Sequence, residues 1–252
     1  MLSVITVLFA AIGAFANAEL IWDTQRQTRL TLEEFLKDRQ AGEILVLGEI
    51  HANSENKDEP DTRVHHTNQA RMIAGLGQFS PVSVGMEFLT YTFQDTVDNY
   101  LRGAISEADF LRQVGWGSSQ NFDFYREQIL LPSRLGGRTL ALNIPRAITG
   151  KVARRGPDSL TEADRALLPP IWEKGGDEYF ERFAETMKGH ATQQQIENFF
   201  WAQSLWDDTM AWNATKYMNT APQDRMVIIV GQFHAEFGHG LPADSSATGP
   251  RT

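Results

Sequence analysis

Four short runs of unbroken apolar character stand out along this chain: Glu43 to Glu49 (EILVLGE), Val82 to Phe88 (VSVGMEF), Arg138 to Ile144 (RTLALNI) and Arg225 to Gly231 (RMVIIVG). Runs of Val, Ile, Leu and Met that do not alternate with polar residues mark strands buried on both faces, as in a parallel sheet. Between the runs, apolar positions recur at helical spacing. Thr31-Leu32-Glu33-Glu34 is a capping-box pattern that predicts a helix running to Gly42. Thr192-x-x-Gln195 predicts another, toward Met218, with Ile196, Phe199, Gln203, Trp206, Met210, Asn213 and Tyr217 on one stripe. Strand patterns alternating with helical ones predict an α/β fold with a largely parallel central sheet flanked by helices. Residues 90–135 and 150–222, lying between strands, read as a helical cap on a single domain spanning 19–243.

The ends differ from this body. Leu2 to Phe15 is apolar or small and is followed by Ala16-Asn17-Ala18, an h-region with an A-x-A cleavage site. Residues 1–18 are therefore expected to be a signal peptide, which makes the mature protein periplasmic or secreted; the alternative is a buried N-terminal helix or strand. Residues 244–252 are polar and contain Gly and Pro, and are expected to fray.

Composition narrows the chemistry. A hydrophobic content of 42% and a charged content of 22% over 252 residues are ordinary for a globular protein with an ample core. The net charge of -9 disfavours nucleic acid as a partner. The absence of cysteine removes disulfides, thiolate metal sites, iron–sulfur clusters, a cysteine nucleophile and lipid attachment.

The strand ends carry the most information. The four runs end in Gly48-Glu49-Ile50-His51, Gly85-Met86-Glu87, Asn143-Ile144-Pro145-Arg146 and Gly231-Gln232-Phe233-His234. In an open parallel sheet the C-terminal strand ends share one edge, where ligands bind. Glu49, His51, Glu87, Asn143, Arg146 and His234 are therefore expected to converge. Glu49 and His51, two apart, point the same way in extended backbone. Glu49, His51, Glu87 and His234 are candidate ligands for a divalent metal ion, or the acid and base of a hydrolase, with Arg146 holding an anion. The sequence leaves both roles open.

Further candidates lie elsewhere. His65 shares a stripe with Gln69, Met72 and Leu76 in a helix that Asp61 or Thr62 would cap, so a lining position is expected for it. Gln128 to Pro157 contains no acidic residue but includes Arg134, Arg138, Arg146, Lys151, Arg154 and Arg155, either a solvated face or a local anion site. The second insert is rich in aromatic residues. It includes Tyr179 and His190, residue types that ligate haem iron as well as pack cores.

Five segments, in this order, resemble the ChaN-like haem-binding family of bacteria. They are LGEIHANSENKDEPDTRVHHTNQARMI (Leu47 to Ile73), VGMEFL (Val84 to Leu89), LALNIPRAI (Leu140 to Ile148), AQSLWDDTMAWN (Ala202 to Asn213) and VGQFHAEFGHGLP (Val230 to Pro242). The resemblance implies haem binding, with a homodimer in which two haems stack face to face, each iron held by a Tyr. It also implies a role in haem or iron uptake at the cell envelope, with an outer-membrane haem receptor or transport system as partner. On it, Tyr179, His190, Arg146 and His65 are the candidate haem-binding residues. Two departures are visible. Members are often lipoproteins, and members tend to continue past GHGLP with another helix and strand. The wider superfamily is similar to erythromycin esterase and to membrane-linked metalloproteases, which implies the alternative of a Glu/His or metal-dependent hydrolase.

Overall fold

The computed structural model describes residues 20–51, 59–117 and 121–243. The expected signal peptide and the expected fraying tail lie outside these residues. The described chain opens with a hairpin of β1 (Leu20–Asp23) and β2 (Thr28–Thr31), which the apolar pattern did not predict. Its tip places Gln27 at φ 51°. Helix α1 (Leu32–Lys37) follows, with the predicted capping box between Thr31 and Glu34. It stops short of Gly42. Arg39 N–H turns back to the Leu36 carbonyl, and Gly42, at φ 82°, donates instead to the Asp224 carbonyl.

The predicted sheet is present. It consists of β3 (Ile44–Glu49), β4 (Val82–Thr90), β5 (Thr139–Asn143) and β6 (Arg225–Gly231), all parallel, in the order β3-β6-β4-β5. Successive side chains of a strand face opposite sides, and both sides are covered here. Leu45, Leu47, Val84, Met86, Val227 and Ile229 point into one core with Met72, Ile73, Leu76 and Ile129. Those partners come from α2 (Pro60–Leu76) and α5 (Arg126–Arg134). Ile44, Val46, Leu140, Leu142, Ile228 and Val230 point into the other core with Met210, Ala211, Ala214 and Met218. These belong to α9 (Gln193–Met218), whose capping box is formed by Thr192 and Gln195 as predicted.

Helices α3 (Gln94–Leu101) and α4 (Glu107–Val114) extend the first layer. Helix α6 (Arg146–Arg155) packs against α9 through Ile148, Val152, Ala202 and Leu205. The short α7 (Glu162–Arg165) leads to α8 (Asp177–Thr186). The insert after β5 thus divides. Helix α9 is a layer of the sandwich, buried on more than the one predicted stripe, while α8 lies over the strand ends. Helix α2 also begins differently from expectation. Pro60 occupies its first turn, Glu59 is the N-cap, and no side chain caps it.

Candidate functional site

The C-terminal strand ends converge as the parallel arrangement requires. Glu49, His51, Glu87, Asn143, Arg146 and His234 all line one cavity of about 660 Å³. Its apolar walls include Phe88, Ile144, Phe183, Met187, Trp206 and Phe233. Helix α8 is held across it by Arg182. The guanidinium pairs with Glu236 at 2.8 Å and stacks over Phe233 at 4.1 Å, tying α8 to the segment after β6.

Glu49 ends β3 with its side chain turned inward, and is buried. Tyr125 donates to its Oε1 at 2.6 Å and Gln69 to its Oε2 at 2.7 Å. His51 Nδ1 lies 3.3 Å from Oε1, and His66 Nε2 lies 3.4 Å from Oε2. The Nδ1 of His66 is 2.7 Å from the Thr62 carbonyl, which can only accept, so that nitrogen carries a proton. His51 is the half-open member of the group, packed edge-on against Phe88 at 4.8 Å. Burial pulls its basicity down, but the Glu49 hydrogen bond and the charges of Glu87 and Glu49 leave it raised above an ordinary imidazole.

A second cluster faces the first. Glu87 Oε2 accepts the Gly231 N–H at 2.6 Å. Its Oε1 lies 3.6 Å from His234 Nε2 and 3.8 Å from His51 Nε2. His234 Nδ1 is 2.6 Å from Asp207 Oδ1, and Tyr179 donates to Asp207 Oδ2 at 2.9 Å. The Gln203 amide donates to the Tyr179 hydroxyl at 3.0 Å. Burial opposes charge on His234, but Asp207 and Glu87 outweigh it and push the imidazole up to about 10. Burial likewise opposes charge on Glu87, yet His234, His51 and the Gly231 amide hold it at about 2. His234 thus sits between two acidic side chains, Glu87 and Asp207, and burial pushes the Asp207 carboxyl upward.

Two glycines make this packing possible. A Cβ on Gly231 would come within 2.7 Å of His51 Nε2, and one on Gly240, at φ 62°, within 2.9 Å of Asp207 Oδ2.

Among the described residues no three His, Asp or Glu side chains are grouped to hold a metal ion, so the structure gives the expected metal centre no support. Three other candidates lie off the cavity lining. Tyr179 is buried beneath it, donating to Asp207. His190 is exposed in the turn after α8. His65 is half-buried on α2, and its neighbour His66 is the one that faces Glu49. Tyr125, His66 and Asp207 were not singled out in the sequence, and Gln69 was named only as a neighbour of His65 on its stripe. For Gln69, His66 and Asp207 the signal is a polar residue inside an otherwise apolar helical stripe, most visible for Asp207 in α9.

Among known proteins, residues 35–244 match the model of a family described as haem-binding uptake, Tiki superfamily, ChaN. No curated protein matches the chain. Its fold is similar to a solved structure of Campylobacter jejuni, "Cofacial heme binding to ChaN", with a TM-score of 0.65 and 16% identity over 90% of this chain and 85% of that one. It is also similar to the type III effector HopBA1, with a TM-score of 0.46 and 11% identity over 84% and 77% of the two chains. A mutant of the erythromycin esterase EreC in its open conformation gives a TM-score of 0.42 and 11% identity over 82% and 67%.

Proposed function

The chain belongs to the ChaN haem-binding uptake family, and from that membership we propose that it binds haem and serves haem or iron acquisition. The observation carrying this reading is the family match over 35–244, which includes every element that lines the cavity. The chemistry of the cavity supports it. Haem is a large apolar ring with two carboxylates on one edge. The walls supply Phe183, Met187 and Trp206, and two lining donors have no internal acceptor among the described residues. Arg146 is exposed and makes no ion pair there, and the buried Trp206 indole N–H has no hydrogen-bond partner. Arg146 therefore holds a propionate, and the apolar walls hold the ring. The protein acts in the bacterial cell envelope, periplasmic or secreted, as a homodimer that exchanges haem with an outer-membrane receptor or transport system.

Titration of the purified chain with haemin tests this. A saturable Soret shift is expected, and Arg146→Gln should weaken binding about tenfold, the equivalent of about 1.4 kcal/mol. Haemin dimethyl ester should not distinguish the two proteins. Absence of a saturable shift in the wild type would end the reading.

A second reading, hydrolysis of an ester or amide in the same cavity, is favoured by the Glu49–His51 pair. A carboxylate on Nδ1 fits an imidazole to take a proton from water. If it holds, chromogenic esters are turned over and Glu49→Gln lowers the rate by about 10². Wild-type rates no higher than buffer would exclude it for those esters.

A further inference from the structure

Helix α6 has two sides of different character. Ile148 and Val152 pack against α9, while the four cations Arg146, Lys151, Arg154 and Arg155 lie off that side, with no acid in the helix. Lys151 is held by Asp164. Arg146, Arg154 and Arg155 are exposed and make no ion pair with any described residue. The chain has a net charge of -9, and other exposed cations sit on acids, as Lys37 does on Glu33 and Arg126 on Glu107.

Helix α8 is the converse. Asp177, Glu178, Glu181 and Glu185 are exposed, and the last three share one stripe. Glu181 makes no ion pair with a described residue. Glu178 reaches His239 at 3.4 Å, and Glu185 reaches Lys188 at 3.2 Å. Exposed pairs of that kind hold weakly and yield to a better partner. The helix dipole favours Asp177 and Glu178 at the start of α8 and Arg154 and Arg155 at the end of α6. It disfavours Glu185, in a last turn, and Arg146, in a first.

Both helices meet the cavity. Arg146 at the start of α6 lines it, as do Thr186 and Met187 at the end of α8. A cationic and an anionic stripe therefore flank one opening. A uniformly acidic partner would suit α6 and be repelled by α8, and a basic one the reverse. A second copy suits both. A two-fold axis at the opening sets α6 of one copy against α8 of the other, and by symmetry makes that contact twice.

We propose that α6 and α8 form a self-complementary dimer surface across the cavity mouth, with Arg154 and Arg155 of one copy meeting Glu181 and Glu185 of the other. This rests on the homodimer reading above, and not on what the cavity holds.

The test uses two double variants, Arg154→Glu with Arg155→Glu, and Glu181→Arg with Glu185→Arg. Each alone sets like charges across the axis; mixed, the two restore both contacts. Sedimentation velocity is run over a concentration series, with and without haemin. Either variant alone should dimerise at least about tenfold more weakly than the wild type, and their mixture as tightly as the wild type, whose own affinity falls as salt is raised. Thermal melts check that each variant folds, and single reversals replace any double variant that does not. Folded variants that dimerise like the wild type, a mixture no tighter than its components, or a wild type that stays monomeric throughout each overturn the proposal. A wild type that binds no haemin but gives the expected pattern in the haemin-free series overturns the haem reading and supports this surface.

Discussion

At the scale of single residues, the site is an exercise in placing charge where water cannot reach. His234 and Glu87 are each stabilised in their charged form by the other. The two shifts give opposite pH dependences. His234, raised from 6.5 to about 10, contributes stability that is complete below about pH 6.5 and is lost as the pH rises toward 10. Glu87, lowered from 4.5 to about 2, contributes stability that is complete above about pH 4.5 and is lost as the pH falls toward 2. Both are fully present only between those limits. Thermal melts of the ligand-free chain should show the melting temperature falling from pH 6.5 to 10, and Glu87→Gln should flatten part of the acid limb. An unchanged acid limb in that variant would remove Glu87 as its source. Residue identity at the strand ends was legible because a parallel sheet sends all its C-termini to one edge. The partners of Glu49 were not. Tyr125 sits just before α5 in an irregular stretch with no periodicity to read, and His65 and His66 differ only by a rotation about the helix axis.

At the scale of elements, helix α9 carries both structure and site. It buries Met210, Ala211, Ala214 and Met218 against the sheet and presents Gln203, Trp206 and Asp207 toward the strand ends. Its start is set by Thr192, whose side chain accepts from the Gln195 N–H while Gln195 reaches back to the Thr192 N–H. Thr192→Ala should cost about 1 kcal/mol in chemical denaturation, with little change in the slope against denaturant. A cost near zero would mean that packing alone fixes the start. The strands were legible in the sequence because burial on both faces leaves unbroken apolar runs. The β1–β2 hairpin was not, because four-residue strands with a half-exposed face carry too short a pattern.

At the scale of the whole molecule, the sandwich leaves one end of the sheet open under α8, and the cavity lies there. The proposed homodimer belongs to this scale. Sedimentation velocity on the purified chain should show a haem-dependent shift from monomer to dimer, with a matching rise in melting temperature, since a ligand bound only to the folded state stabilises it by mass action. A monomer at saturating haemin would rule out dimerisation through the ligand. The architecture was readable from alternating periods. How the second insert divides, into one buried layer and one cover, depends on tertiary packing that no local pattern encodes.

The strand order β3-β6-β4-β5 also has a kinetic consequence. The strand between β3 and β4 is the last of the four in the chain, beginning at Arg225. Until it arrives, β3 has no neighbour in the sheet, and Glu49 and Glu87 stand on unconnected pieces. The chain must therefore close its most distant contacts before its sheet exists, a topology that slows folding. During synthesis, assembly waits for nearly the whole sequence, and the site appears in the same late step as the sheet that carries it.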